Sequence, residues 1–418
     1  MIDLWAHQAL WCGYYSKENI HMKKPLKVTL ALCALAVVFA LWLRPSLESL
    51  YTTIRLFEPD RIVNHFRSFD DIWPTRPMPR PAQSSPYPVG DAIELPESFT
   101  FGESTLNTKQ FLADAWTTGL LVVQDDQIVY EAYFLGNDSS TRNISWSMAK
   151  SFISALIGVA VNEGKISSIE QPVDAYATEL KGSGYEGVRI KDVLQMSSGV
   201  AFNEDYGDFN SDINRWGRGF ALGHSQDEFA ASLIRERPPG MKHQYVSIDT
   251  HVLGMVLTRA TGQSVSQYME EKLYQPMGME YDGYWIIDGH GMEMALGGLN
   301  LTLRDFAKLG SMYLHQGKAG EKQVVPAEWV AASTRPDGPH VQPGSHLGYG
   351  YQWWIPGSSS GEYMAMGVYG QYIYVNPVTR TVIVKLAANP HYNEPDYIPS
   401  SNFSNLALFR AIATGGAD

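Results

Sequence analysis

Ser147-Met148-Ala149-Lys150 places a hydroxyl and an amine three residues apart, at the mouth of an almost wholly apolar stretch running from Ser145 to Gly164. In a helix, residues i and i+3 are neighbours on one face. A hydroxyl becomes a competent nucleophile when a nearby base takes its proton, and a lysine serves if desolvation lowers its pKa. A helix N-terminus also offers free backbone N–H groups to an oxyanion. The pair therefore points to nucleophilic attack on a carbonyl. Serine three residues before lysine also arises by chance in most chains of this length. The context argues against chance, because a buried helix has no other use for a lysine in its first turn.

The elements that would position this pair follow from the hydrophobic pattern. Phe152, Ile153, Leu156, Ile157, Val159 and Val161 leave no polar face, so a buried helix is expected, stopped by Gly164. Before it, Gly119–Val123 and Ile128–Phe134 read as a β-hairpin split by Asp125-Asp126. After it come helix candidates at Ile190–Met196, Gln226–Arg235, Thr250–Thr261, Val265–Leu273 and Leu303–His315, with Asp249 as a cap. The chain then returns to strands at Tyr349–Ile355, Tyr363–Val368, Gln371–Asn376 and Thr381–Ala387, and closes on a helix at Asn402–Ala413. Strands at both ends with helices between describe an α/β (α+β) fold. One antiparallel sheet is built from distant parts of the chain, with a helical lobe over about 172–296.

Two further stretches complete the pattern. Arg237-Pro-Pro-Gly240 leads into Tyr245-Val-Ser247, and Gly367-Val-Tyr-Gly370-Gln371 joins two C-terminal strands. In order and separation, these and Ser147-Met-Ala-Lys150 resemble the three boxes of the serine β-lactamase-related family. That family includes class C β-lactamases, D-amino-acid peptidases, family VIII esterases and aminohexanoate-oligomer hydrolases. Leu194-Gln-Met-Ser-Ser-Gly199 and Gln275-Pro-Met-Gly-Met279 add to the likeness, which spans roughly Leu95 to Ala413.

The resemblance implies a β-lactamase/transpeptidase-like fold and a serine hydrolase, with Ser147 as nucleophile and Lys150 and Tyr245 as proton-transfer groups. Ser247 stands where many relatives carry asparagine, a variant that the aminohexanoate-oligomer hydrolases share. Val368-Tyr369-Gly370 replaces the Lys-Thr-Gly of β-lactamases, so the cationic partner of a substrate carboxylate is missing. Gly370 would let substrate approach the strand backbone. Gln371 N–H would pair with Ser147 N–H as the oxyanion hole. Esters or amides are thus expected ahead of β-lactams. The alternative is a penicillin-binding or sensor-type acyl acceptor with little turnover.

Other motifs carry less. Gly357-Ser-Ser-Ser-Gly361 fits a nucleophile elbow but lies between strands, where a hairpin loop is expected. His224, His243 and His251 lack zinc-site spacing, so no metal and no cofactor is implied, and His243 reads as an exposed loop residue, with an approach to the cleft beside Tyr245 as the alternative. Phe202–Phe220, aromatic and acidic, reads equally as a lid or as a surface loop.

The 418 residues carry a net charge of −12, which argues against a nucleic-acid partner. Cys12 and Cys33 both precede the globular part, so a disulfide framework and a cysteine nucleophile are excluded there. The run 26–43, preceded by Lys23 and Lys24 and broken by Lys27 near its start, spans ~27 Å as a helix and reads as an uncleaved signal anchor. Residues 1–25 would be cytoplasmic, and the catalytic domain would face the periplasm from the inner membrane. A cleaved signal peptide is the alternative, and Met22 offers another start, making 1–21 an extension. Residues 44–94, with Pro74, Pro77, Pro79, Pro81, Pro86 and Pro88, read as an extended spacer before a domain over 95–418. The substrate would be a small ester or amide; the oligomeric state is not legible.

Overall fold

The computed structural model describes residues 24–336, 347–394 and 396–415, and the side chains of 24–27 and 40–47 lie outside that set. The chain divides into two compact units, Met1–Glu48 and Ser49–Asp418. In the first, the described residues are helical, part of a helix over Lys24–Ile54. Among the described residues no helix is long and apolar enough to cross a membrane. The anchor expected over 26–43 is therefore not supported. The uncharged run between Lys27 and Arg44 covers about 24 Å at 1.5 Å per residue, short of the ~30 Å hydrocarbon core. The expected cytoplasmic segment and alternative start over 1–21 lie outside the described residues.

The second unit is organised by a seven-stranded antiparallel sheet. Its order is Leu347–Tyr349, Trp354–Pro356, Tyr363–Gly367, Gln371–Asn376, Thr381–Ala387, Thr117–Gln124, Gln127–Tyr133. N-terminal and C-terminal strands meet where Val122 pairs with Ile383. The side-chain period of two then gives the sheet two buried faces. Leu121, Val123, Val382 and Val384 point toward the helix Ala149–Asn162 and the larger core. Leu120, Val122, Ile383 and Tyr372 point the other way, onto Leu406, Phe409 and Ile412 of the closing helix Asn402–Ala413. The hairpin, the last two full strands and the closing helix fall where the apolar pattern places them. Tyr349–Ile355 splits into two short strands because Gln352 takes a left-handed conformation between them.

A second, four-stranded sheet went unforeseen. Its order is Thr75–Met78, Gly283–Ile286, Leu299–Leu301, Asn143–Ile144. Thr75–Met78 lies inside the expected spacer, and its Pro77 is tolerated because the strand is at the sheet edge. Leu56, Ile62, Phe66, Phe69 and Met78 are buried in the main core. Arg76 ties the same segment to buried Glu293 and to the Gly291 carbonyl. Residues 49–94 are thus part of the globular unit, and the spacer reading is corrected there. Proline spacing forbids helix but does not forbid burial of the aromatic and aliphatic side chains between prolines.

Candidate active site

The short strand Asn143–Ile144 delivers the chain to Ser147. Ile144 N–H bonds to Phe66 O and Ser145 N–H to Leu299 O, which holds the entry on both sides. Trp146–Met148 form a 3₁₀ turn, and the α-helix proper runs Ala149–Asn162. Ser147 is therefore on the tight turn leading in, two residues before the α-helix, and not within its first turn. Lys150 remains beneath it. Its Nζ is 3.1 Å from Ser147 Oγ and donates to Leu296 O at 2.6 Å.

Lys150 is 2% exposed. Burial lowers its pKa to about 7, against the opposing pull of Glu204 and Asp249. A neutral amine beside a hydroxyl is what proton abstraction requires. The Tyr245 ring lies over this amine, its centroid 5.5 Å from Nζ. Burial and the Glu204 charge push the Tyr245 phenol well above its ordinary range, while hydrogen bonding to Ser147 and Ser247 opposes that. Tyr245 is thus a neutral phenol, able to pass a proton but not to rest as a phenolate.

Ser247 does not reach toward the lysine. It begins the helix Ser247–Thr261, and its N–H and Oγ both donate to the Glu204 carboxylate, at 2.9 and 2.5 Å. An anion at a helix N-terminus satisfies otherwise free N–H groups. Glu204 also accepts from Tyr206 at 2.9 Å. The lysine is positioned by the Leu296 carbonyl instead. Asp249 is not a cap but a buried first-turn residue accepting from Tyr185 at 2.7 Å, and burial raises it to about 7.

The third box is also partly reassigned. A Cβ at Gly367 would meet Ser145 O at 2.6 Å and Ser147 N at 3.1 Å. Only glycine lets this strand end so close to Ser147. Gly370, at φ +92°, faces Ala387 and Lys385 and serves the turn, not the cleft. Gln371 is buried and pairs with Gly367 across the hairpin, its amide donating to Ala387 O at 2.5 Å. Val368 lines the space beside Ser147, and Tyr369 lines the same space on one side.

Of the remaining expectations, Gly357–Gly361 is a loop between two strands. His243 is buried, its ring 4.8 Å from that of Tyr349, and not an exposed loop residue. His251 is buried against Asp227 at 2.7 Å. Sequence reasoning missed Glu204, the Leu296 carbonyl and the role of Gly367. Only Glu204 left a signal, as an acidic residue in an aromatic loop.

Two clefts meet at Ser147. One, of about 260 Å³, is lined by Glu204, Tyr206, Tyr245, Trp354, Tyr392 and Asn402. The other, of about 360 Å³, is lined mainly by apolar side chains.

A serine–lysine–tyrosine group between the end of a central strand and a helical lobe defines a serine hydrolase of β-lactamase/transpeptidase-like fold. A family model described as Beta-lactamase matches residues 107–399. The chain belongs to that family and is a serine hydrolase. The 6-aminohexanoate-dimer hydrolase of Paenarthrobacter ureafaciens is 30% identical over 302 residues, covering 69% of this chain and 76% of the relative. A Bacillus anthracis protein provisionally named a 6-aminohexanoate-dimer hydrolase superposes with TM-score 0.76 at 24% identity, over 86% of this chain and 95% of its own. A family VIII carboxylesterase superposes with TM-score 0.53 at 16% identity, over 73% and 96%; these two likenesses concern the fold.

Proposed function

We propose that this protein hydrolyses small ester or amide substrates through an acyl-enzyme on Ser147. The observation that carries this reading is the buried Lys150 amine, lowered to about 7 and 3.1 Å from Ser147 Oγ. Neutral Lys150 takes the hydroxyl proton as Oγ bonds to the substrate carbonyl carbon. The oxyanion is met by the N–H groups of Ser147 and Val368, because Gly367 brings the start of the turn against Ser147 N. Val368 thus takes the part expected of Gln371. Collapse breaks the bond to the leaving group, which takes the Tyr245 proton, and Tyr245 is reprotonated from the Lys150 ammonium. Water then adds to the acyl carbon, gives up its proton by the same route, and Ser147 leaves with it.

The 30%-identical relative supports the reading, since its name makes it a hydrolase of a 6-aminohexanoate dimer. A serine-reactive fluorophosphonate should label Ser147, and Ser147→Ala should abolish labelling and turnover of p-nitrophenyl esters and p-nitroanilides. Labelling at Ser359, or turnover surviving in Ser147→Ala, would overturn it. A stable adduct without turnover would favour the acyl-acceptor alternative.

A further inference from the structure

The two clefts at Ser147 differ in what they contain, and the difference assigns them. Tyr245 lines the smaller cleft and not the larger one. The proton for the departing group comes from Tyr245, so the leaving group lies in the smaller cleft. The acyl group then lies in the larger cleft. Its walls include Leu56, Phe57, Trp73, Phe220 and Met294. Trp73 meets Phe220 edge-on at 5.2 Å, and Phe57 stacks on Tyr369 at 4.6 Å with the planes 11° apart. Leu56, Trp73, Phe220 and Met294 are all buried, so the walls are fixed by packing. Among the described residues Arg218 is the charged residue on this lining. Its guanidinium lies 3.9 Å over the Phe209 ring and donates one N–H to Phe209 O at 2.7 Å.

We propose that this cleft is an acyl pocket for uncharged, medium-chain aliphatic or aromatic acyl groups. Its selectivity is set by Leu56, Phe57 and Trp73, which precede the family-matched residues 107–399. The proposal rests on the acyl-enzyme reading above. About 360 Å³ falls within the range of small-molecule sites, which are mostly apolar with few polar groups.

The test is a p-nitrophenyl ester series from acetate to octanoate with the full chain, the leaving group held constant. kcat/KM should rise about three- to fourfold per added methylene until the pocket is filled. Phe57→Ala should lower the octanoate-to-acetate ratio about tenfold, while Phe57→Tyr restores it. Alkyl acetates of increasing alcohol length should show no such gradient. A flat acyl series with Ser147-dependent turnover intact overturns this inference and leaves the proposed function standing. A gradient in the alcohol series alone overturns the assignment of the acyl side. Preference for an adipate half-ester over octanoate overturns the uncharged class, and an unchanged ratio in Phe57→Ala overturns the role of the segment. Loss of all Ser147-dependent turnover and labelling in the wild type is the separate failure of the hydrolase reading.

Discussion

Trp146 and Tyr369 both hold left-handed backbone conformations, φ +42° and +63°, and their rings lie 6.0 Å apart. For bulky side chains this region costs roughly 1–2 kcal/mol each, and such outliers persist where packing over-determines them. Phe66 supplies that packing, 5.5 Å from Trp146 and 5.3 Å from Tyr369, with Phe69 5.7 Å from Trp146. The residues next to Ser147 and Val368 in the chain are thus held by side chains from 57–69.

A first prediction follows for the N-terminal segment. Truncation at Ser49 should leave a cooperatively folding protein, because Ser49–Asp418 is compact by itself. Removing residues 1–94 should not. Ile62, Phe66, Phe69, Trp73 and Met78 each contribute roughly 1.5–3 kcal/mol of burial, together comparable to the whole stability of a domain. Phe66→Ala alone should destabilise by about 3–5 kcal/mol. Thermal and urea unfolding followed by circular dichroism check all three; a stable, active 95–418 fragment would refute the argument.

The pH dependence has a definite sign. Lys150 acts as the neutral amine, so kcat/KM should rise with pH through about 7 and level off above it. Asp249, raised to about 7 by burial, ionises over the same interval and favours the ammonium form, which makes the limb shallower than a single titration. Glu204→Gln removes a negative charge that raises Lys150, so the midpoint should move to lower pH. An upward shift in the ester pH–rate profile of that variant would contradict the electrostatic account.

Gly367→Ala should be severe. The added Cβ meets Ser145 O and Ser147 N, both backbone atoms that cannot swing aside. The strand end must move away from the nucleophile, and a displacement of about 1 Å costs on the order of 100-fold in rate. Single-turnover acylation should fall by that factor while fluorescence-monitored unfolding shows a smaller change. Gly370→Ala should instead act mainly on stability, through its positive φ and its contact with Ala387.

β-Lactams should be poor substrates beside simple esters. The turn after Gly367 presents Val368 and Tyr369 in place of the lysine that would meet the carboxylate next to the scissile bond. A charged hydrogen bond contributes roughly 1.5–3 kcal/mol, so its absence lowers kcat/KM by about one to two decades. Nitrocefin compared with a short p-nitrophenyl ester, in wild type and Val368→Lys, reads this directly. Nitrocefin turnover at or above the ester rate in the wild type would show that the turn does not set this preference.

What the sequence alone determined was the local and the repeated. The buried helix after Ser147 shows in an unbroken apolar run ended by Gly164, and the sheet shows in strands whose bounds follow their apolar residues. The serine, lysine and tyrosine stand out because few structural roles need those types in those settings. The tertiary structure decided what has no residue-type signature. A carbonyl such as Leu296 O looks the same at every position, so nothing in the sequence marked it as the lysine's partner. Gly367 and Gly370 are the same residue three positions apart, and only the approach of Ser147 N to one of them separates their roles. Glu204 pairs with Ser247 across 43 positions. The proline-rich stretch reads as a spacer because composition reports which backbone conformations are forbidden, whereas burial depends on the surface the rest of the chain presents to it.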